Sequence, residues 1–424
     1  MSSSPQAQEK KLANESVVYY EHSSDHDRDS SKFANLDPVE LRILEKKAVR
    51  RLDIVILPMI SMFYFLSFLD RSNIGNARVA GLQKALGMTD HQYQICITIL
   101  YVPYICAELP SNLLLRKIGP RYLMPSLLTA WGLVSSFAGL TTVRAFLGLL
   151  EGPMFPGIVL YLSSFYTRDE LAVRVAIFFS SASLSGAFSG LLAAAILKMD
   201  GLGGRPGWAY IFIIVSASSP YKGLCYLTLL LARRLARDNP SSSTNQDDFS
   251  FKEVIRSLKS PHVLLVFTVL YMVGTVLYGQ ALFLPSIVNQ LGFSPNKTQL
   301  LSVGPFAGGF FVTLLGAIWS ESHQMSRNSG YGDFSCRHGG IFHISHKDST
   351  DKFTRYGSLF LTVPGVYAVI PPLAAWVSNN SEPHYRRATS IALGFIATNL
   401  GGITSTWLFP TKDAPITDER RSSI

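Results

Sequence analysis

The chain has 424 residues, of which 48% are hydrophobic and only 16% are charged. In soluble domains about a quarter of the residues are charged, so this composition excludes an ordinary soluble protein. The formal net charge of +9 could indicate nucleic-acid binding, but no basic patch with interleaved aromatic side chains occurs on a polar segment, and we expect no nucleic-acid partner.

The N-terminal segment is polar. Residues 1–36 are rich in Ser, Asp, Glu and Gln, and we expect a disordered cytoplasmic tail, because too few apolar side chains are present to offset the entropy of folding. Order is expected from Asp37, since Asp37-Pro38-Val39-Glu40 has the pattern of a capped helix start. An apolar stripe over residues 41–52 then predicts an interfacial helix that leads into the first membrane span.

Apolar residues are concentrated in blocks, most of which reach the roughly 20 residues that a helix needs to cross a bilayer. The blocks occupy residues 55–69, 95–115, 122–140, 143–165, 173–197, 263–288, 300–319, 356–376 and 391–409. Backbone groups in lipid must hydrogen-bond within their own segment, so we predict an all-α polytopic membrane protein. Lys and Arg lie in alternate connections, which predicts that these connections and the N-terminus are cytoplasmic.

The first block ends at a pair of charges. It is only 15 residues long, about 22 Å of helix, whereas the hydrocarbon core is about 30 Å thick. We therefore predict that the helix continues through Asp70 and Arg71. The pattern Ala77-x-x-x-Gly81 favours close helix packing, so the charges should face the bundle interior, where ionisable residues are functional candidates. In the alternative, Arg71 anchors the helix at the outer surface.

The fourth block contains VRAFLGLLEGPMFPG, in which Arg144 and Glu151 are seven residues apart. Two helical turns place them on one face, about 10 Å apart. A guanidinium attracts a carboxylate, and a carboxylate in a poorly hydrated cavity can take up and release a proton. This pattern favours an anion and a proton as joint cargo; the alternative is an Arg–Glu pair that serves only packing. Gly152-Pro153 and Pro156-Gly157 should loosen the helix and permit close packing or a hinge.

The second block carries another intramembrane acid. Glu108 lies toward its cytoplasmic end and is followed by Asn112 and by a basic connection that includes Arg116 and Arg121. We predict that these four residues form a gate in which Glu108 pairs with the basic connection. In the alternative, Glu108 is a second proton site.

Five motifs occur in order along the chain: LDRSNIGNARVAGL, ELPSNLLLRKIGPR, RAFLGLLEGPMFPG, FLPSIVNQLGFS and WVSNN. With them the sequence resembles the fungal allantoate permease branch of the anion:cation symporters, in the major facilitator superfamily. The resemblance implies a fold of two six-helix halves and proton-coupled uptake, across the plasma membrane, of a small organic anion such as allantoate, nicotinate or pantothenate. It places the family's substrate-binding arginines on Arg71 and Arg144 and its coupling glutamate on Glu151.

The remaining assignments follow from these patterns. The predicted substrate-binding residues are Arg71, Arg144, Asn76, Tyr278 and Gln280, although aromatic residues such as Tyr278 as often serve packing; Glu151 and Asp70 are assigned to proton coupling. The expected partners are a small organic anion, a proton and the lipid bilayer, and the expected state is a monomer. The cysteines show no paired spacing, so neither a disulfide framework nor a zinc site is expected. No cofactor and no enzymatic activity are expected.

The predicted organisation is an N-terminal membrane half over residues 37–215, a cytoplasmic linker with a degenerate sixth span over 216–260, and a truncated C-terminal half over 261–424. The third and fourth blocks are joined by only about two residues, and residues 321–355 are polar. Because the resemblance implies a ninth span over that polar region and a twelfth span after the last block, we expect both spans to be missing. One alternative is therefore a non-functional truncated copy or a defective gene model. A nutrient receptor built on the transporter fold is another.

Overall fold

In the computed structural model, the chain is described over residues 37–119, 142–163, 166–201, 206–218, 251–322, 352–382 and 384–408, with a few single positions between these ranges. This part of the chain forms helices and short connections, without strands. The helices are α1 (Pro38–Val79), α2 (Leu82–Ala85), α3 (Asp90–Ile118), α4 (Thr142–Glu151), α5 (Met154–Leu162), α6 (Arg168–Ile196), α7 (Gly207–Ser218), α8 (Phe251–Leu258), α9 (Pro261–Gln290), α10 (Pro295–Ser322), α11 (Lys352–Asn379) and α12 (His384–Leu408).

The first helix is a single element of 42 residues. It begins where the backbone N–H of Val39 donates to the Asp37 carboxylate, and it continues through Asp70 and Arg71. The predicted continuation of the first span through the charge pair is therefore confirmed. The chain divides into two compact units, Met1–Ile56 and Leu57–Ile424.

Two of the long helices begin with a capping box. At α3, the Thr89 side chain accepts from the backbone of Gln92, and the Gln92 side chain accepts from the backbone of Thr89. At α6, Thr167 and Glu170 exchange the same two bonds. A capping box satisfies two backbone donors that a helix start leaves unpaired, so it fixes the residue at which the span begins.

Eight helical segments of the described chain are long and apolar enough to cross a membrane. They include α1, α3, the combined α4 and α5, α6 and α9 to α12, which correspond to eight of the nine blocks found in the sequence. The remaining block, 122–140, lies mostly outside the described residues. So do the predicted tail at 1–36, the linker from 219 to 250, most of the polar region at 321–355 and all residues after 408. The start of the sixth span is helical as α7 and is 12 residues long.

Glycines set the closest helix contacts within each half of the bundle. Gly152 directly follows α4, and a Cβ there would lie 2.5 Å from the backbone carbonyl of Tyr104. Gly148 lies within α4, and a Cβ there would clash with the backbone carbonyl of Leu100. These two glycines form a G-x-x-x-G pattern, which lets the backbones of α4 and α3 touch. In the second half, Gly401 of α12 meets the backbone of α9 in the same way.

The close helix contact predicted for α1 at Ala77-x-x-x-Gly81 occurs at another residue. Ala77 is fully buried, but Gly81 follows the end of α1, has φ 95°, and has no atom within 4 Å of the point that a Cβ would occupy. The close contact falls instead on Gly75, which packs against the backbone of Leu282 in α9. The Ala77-x-x-x-Gly81 prediction is therefore wrong, because the helix ends at Val79 and Gly81 is needed for the turn.

Candidate functional site

Arg71 of α1 is buried, with 7% of its surface exposed. Its Nε and Nη2 both lie 2.8 Å from Oε2 of Glu151, the last residue of α4. Its Nη1 donates to the hydroxyl of Tyr278 in α9 at 3.1 Å. The guanidinium therefore binds a carboxylate of the first half and a hydroxyl of the second half. This burial contradicts the alternative in which Arg71 anchors α1 at the outer surface.

A chain of hydrogen bonds continues from Tyr278. Its hydroxyl donates to Oδ1 of Asn399 in α12 at 2.9 Å. The Nδ2 of Asn399 donates to the Phe395 carbonyl at 2.8 Å and makes a longer contact of 3.5 Å with Oε2 of Glu108. Glu108 is on α3, so the chain leaves the first half at Arg71, crosses two helices of the second half and returns to the first half at Glu108.

Aromatic rings enclose the guanidinium. The Cζ of Arg71 lies 4.6 Å from the ring centre of Tyr104 and 5.5 Å from that of Phe68, within the range of a cation–π contact. The ring of Tyr101 meets that of Tyr278 edge-on, with centroids 5.1 Å apart. Both rings rest on Gly402 of α12, where a Cβ would lie about 3 Å from each. Aromatic rings therefore form walls around the buried guanidinium of Arg71.

The two residues predicted to share a face of α4 have different surroundings. Arg144 and Glu151 are both buried, at 7% and 1% exposure. The ion-pair partner of Glu151 is Arg71, whereas the electrostatic neighbours of Arg144 include Tyr93, Tyr101 and the half-buried Asp70. Glu151 is therefore paired with Arg71, and the alternative of an Arg144–Glu151 pair that serves only packing is wrong. The expected loosening after Glu151 is confirmed, since α4 ends there and α5 begins at Met154.

The predicted amide residues lie in the interior with unused hydrogen-bonding capacity. Asn76 is 2% exposed, and its backbone carbonyl accepts from Nε2 of Gln299 in α10 at 3.3 Å. Within the described chain, the Nδ2 of Asn76 and the Oε1 atoms of Gln280 and Gln299 have no hydrogen-bond partner. Buried polar atoms without partners are uncommon in folded proteins.

The described side chains do not include all four predicted gate residues, and those that are described do not form one cluster. Glu108 contacts Asn399, and its pairing with the basic connection is not observed among the described side chains. Asn112 is buried, and neither amide atom has a partner there. Arg116 lies in α3, but its side chain and the whole of Arg121 lie outside the described residues. The gate stays a prediction.

Sequence patterns indicate Tyr104 and Asn399 as well, which are not among the predicted site residues. Tyr104 and Glu108 are four residues apart on α3, so they share a helix face beside Arg71. Asn399 is a lone amide within an apolar span and is followed by Gly401 and Gly402; polar side chains at such positions commonly hydrogen-bond between helices. The described residues contain no group of three or more His, Cys, Asp or Glu that could hold a metal ion.

Eight apolar helices and a buried charged cluster define an integral membrane protein with a polar interior. The family model of the Major Facilitator Superfamily matches residues 60–406, and the chain therefore belongs to this superfamily of transporters.

Individual proteins agree with this assignment. An uncharacterized transporter of Schizosaccharomyces pombe is 32% identical over 405 residues, which is 89% of this chain and 80% of the relative. The high-affinity nicotinic acid transporter of Saccharomyces cerevisiae is 29% identical, over 88% of this chain and 73% of its own length. Two solved structures share the fold. The fucose:proton symporter FucP of E. coli has a TM-score of 0.60 and 14% identity, over 84% of this chain and 91% of its own. A bacterial homolog of the human lysosomal transporter Spinster has a TM-score of 0.59 and 16% identity, over 84% of this chain and 81% of its own.

Proposed function

We propose that this chain is a proton-coupled importer of small organic anions with a carboxylate group. The observation that carries the proposal is the buried guanidinium of Arg71, which binds Glu151 of the first half and Tyr278 of the second half. In transporters with two membrane halves, substrate sites lie near the midplane where the halves meet. Arg71 is the fixed positive charge at such a position.

The geometry supports binding by exchange of carboxylates. Glu151 uses a single oxygen to accept from both Nε and Nη2 of Arg71. A substrate carboxylate would compete for the same two donors, because the planar guanidinium is suited to bidentate carboxylate recognition. When the substrate displaces Glu151, a buried carboxylate is left without its cation, which is unfavourable unless it binds a proton. Anion binding and protonation of Glu151 are therefore linked.

The walls of the site fit a small, flat or polar anion. Tyr104 and Tyr101 supply ring faces and edges beside the charge, and unsatisfied amide atoms of Asn76 and Gln280 supply polar contacts. The similarity to the nicotinic acid transporter supports this class, because nicotinic acid is an aromatic ring with one carboxylate. Arg144 is proposed as a second attraction for the anion, with Asp70 beside it.

The finer assignments are part of the same proposal. Arg and Lys in alternate connections support a cytoplasmic N-terminus. We place the chain in the plasma membrane as a monomer and in the allantoate permease branch of the anion:cation symporters, on the motifs that the sequence shares with that branch. Asn112, Arg116 and Arg121 are proposed to gate the cytoplasmic side, whereas Glu108, the fourth residue of the predicted gate, contacts Asn399 instead.

The test is uptake of labelled carboxylates into proteoliposomes that contain the full chain. A panel of nicotinate, allantoate and pantothenate is measured with an inward proton gradient and without it. We expect at least one anion to accumulate faster when the outside is acidic. Binding without accumulation would favour a receptor, and neither binding nor accumulation would favour a non-functional copy; either result overturns the proposal.

Replacement of Glu151 tests the coupling step. Glu151→Gln keeps the shape but cannot release a proton, so we expect acid stimulation to disappear while anion exchange persists. Glu40→Gln is the matched control, because Glu40 is exposed in the first turn of α1. Continued acid stimulation in Glu151→Gln would show that another group carries the proton.

A further inference from the structure

Glu108 is a buried acid with an incomplete set of partners. Its exposed fraction is 0%. Its Oε2 is 3.5 Å from Nδ2 of Asn399, a long hydrogen bond, and its Oε1 has no hydrogen-bond partner in the described part of the chain. An ionised carboxylate has several acceptor sites to satisfy. The surroundings of Glu108 supply one weak donor.

The charges around Glu108 do not balance if it is ionised. The groups that face it are Arg71 from α1, Tyr278 from α9, Asn399 from α12 and Tyr104 from its own helix. The only cation in this set is Arg71, and its guanidinium is already ion-paired with Glu151 of α4. Two carboxyl groups therefore share one guanidinium. Because an unpaired buried carboxylate is strongly unfavourable, one of the two must carry a proton.

The distances indicate which carboxyl is neutral. Glu151 lies 2.8 Å from two guanidinium nitrogens, as an ionised acceptor does. The Nδ2 of Asn399 has two N–H donors; it donates to the carbonyl of Phe395 at 2.8 Å, but its contact with Glu108 is 3.5 Å long. A carboxylate is a stronger acceptor than a carbonyl, so an ionised Glu108 would draw the amide closer. The long contact fits a protonated acid.

A chain of hydrogen bonds connects Glu108 to the guanidinium of Arg71. Arg71 donates to Tyr278, Tyr278 donates to Asn399, and Asn399 donates to Glu108. Loss of the proton from Glu108 would pull Asn399 away from Phe395, and the change would be felt on α12 and at the Tyr278 hydroxyl. A change at Arg71 when an anion binds would travel along the same bonds in the opposite direction.

We propose that Glu108 is a second proton-binding site, which is neutral in this conformation and is connected through Asn399 and Tyr278 to the anion-binding guanidinium. The proton is taken from water and returned to water. The role of this site in transport rests on the proposed proton-coupled function. The proton on Glu108, however, is a property of the chain without substrate.

Infrared spectroscopy of the purified full chain in lipid nanodiscs tests the proposal without a substrate. We expect the C=O stretching band of a neutral carboxylic acid at neutral pH. The band should be lost in Glu108→Gln and retained in Glu40→Gln, which is the matched control because Glu40 is exposed at the start of α1. Absence of the band in the unmodified chain, or its persistence in Glu108→Gln, would overturn the assignment.

A second variant does not depend on the folding of Glu108→Gln. Asn399→Leu keeps the side-chain size and removes the amide that contacts Glu108, so the same band should shift to higher frequency. An unshifted band would mean that the neutral acid is elsewhere. The infrared result is independent of the uptake panel. If no anion of the panel is taken up, the proposed transport is rejected but the assignment of the proton to Glu108 is not. If the infrared band is absent, the assignment to Glu108 is rejected but the proposed transport is not.

Discussion

Replacing Arg71 by lysine keeps a positive charge at the centre of the site but removes the planar fork. In the structure, three guanidinium nitrogens make separate contacts: Nε and Nη2 with Glu151, and Nη1 with Tyr278. A lysine ammonium is a compact point charge on a flexible stem. It can approach Glu151 or an incoming carboxylate, but it cannot hold two parallel bonds to that group and also reach the Tyr278 hydroxyl.

The expected size of the effect follows from the bonds that are lost. A hydrogen bond that involves a charged group contributes about 1.5–3 kcal/mol. Losing one such bond to the bound anion predicts about a 10- to 150-fold weaker affinity. The effect should appear in the concentration dependence of uptake, measured for the best anion of the panel in proteoliposomes that contain Arg71→Lys.

Arg256→Lys is a suitable control for this measurement. Arg256 is exposed and forms a pair with Glu253 on the surface of α8, so the same change of side chain there should leave the affinity unaltered. If Arg71→Lys folds and binds the anion as tightly as the unmodified chain, then Arg71 does not coordinate the carboxylate.

Two further predictions concern stability, measured as thermal unfolding in detergent. Gly148→Ala should destabilise the chain by about 1–3 kcal/mol, because its Cβ would clash with the backbone of Leu100. Gly357→Ala is the control and should be neutral or stabilising, because no atom lies within 4 Å of the position of its Cβ. Equal effects of the two substitutions would contradict the packing argument. Thr89→Ala should cost about 1 kcal/mol by removing the capping box with Gln92, and an unchanged unfolding temperature would contradict that role.

Length and hydropathy were enough to predict the continuation of α1 through Asp70 and Arg71, because a 15-residue block cannot span the bilayer alone. The partner of Glu151 could not be predicted in this way. Spacing along α4 favours Arg144, but the ion pair forms with Arg71 of a different helix. Periodicity describes one helix at a time, and the choice between two arginines depends on how helices pack.

The same limit applies to the small-residue motifs. Ala77-x-x-x-Gly81 and Gly148-x-x-x-Gly152 have equivalent patterns, but only the second brings two backbones together. The first fails because α1 ends at Val79, two residues before Gly81. Helix ends are set by local turns, and Gly81, with a φ of 95°, belongs to the turn that follows α1.

The bonds at the centre of the site differ in kind from those that hold each half together. The α3–α4 pair and the α9–α12 pair are joined by backbone contact at glycines, which only a large shift of a helix could break. Arg71 meets the second half through a single hydroxyl, and Glu108 meets it through a single amide. The halves also meet by backbone contact at Gly75 and Leu282, whereas each of these hydrogen bonds contributes only a few kcal/mol at most. Under the proposed function, an anion that replaces Glu151 at Arg71 acts first on these hydrogen bonds. The proposed anion binding therefore changes hydrogen bonds between the halves and leaves the glycine contacts within the α3–α4 and α9–α12 pairs in place.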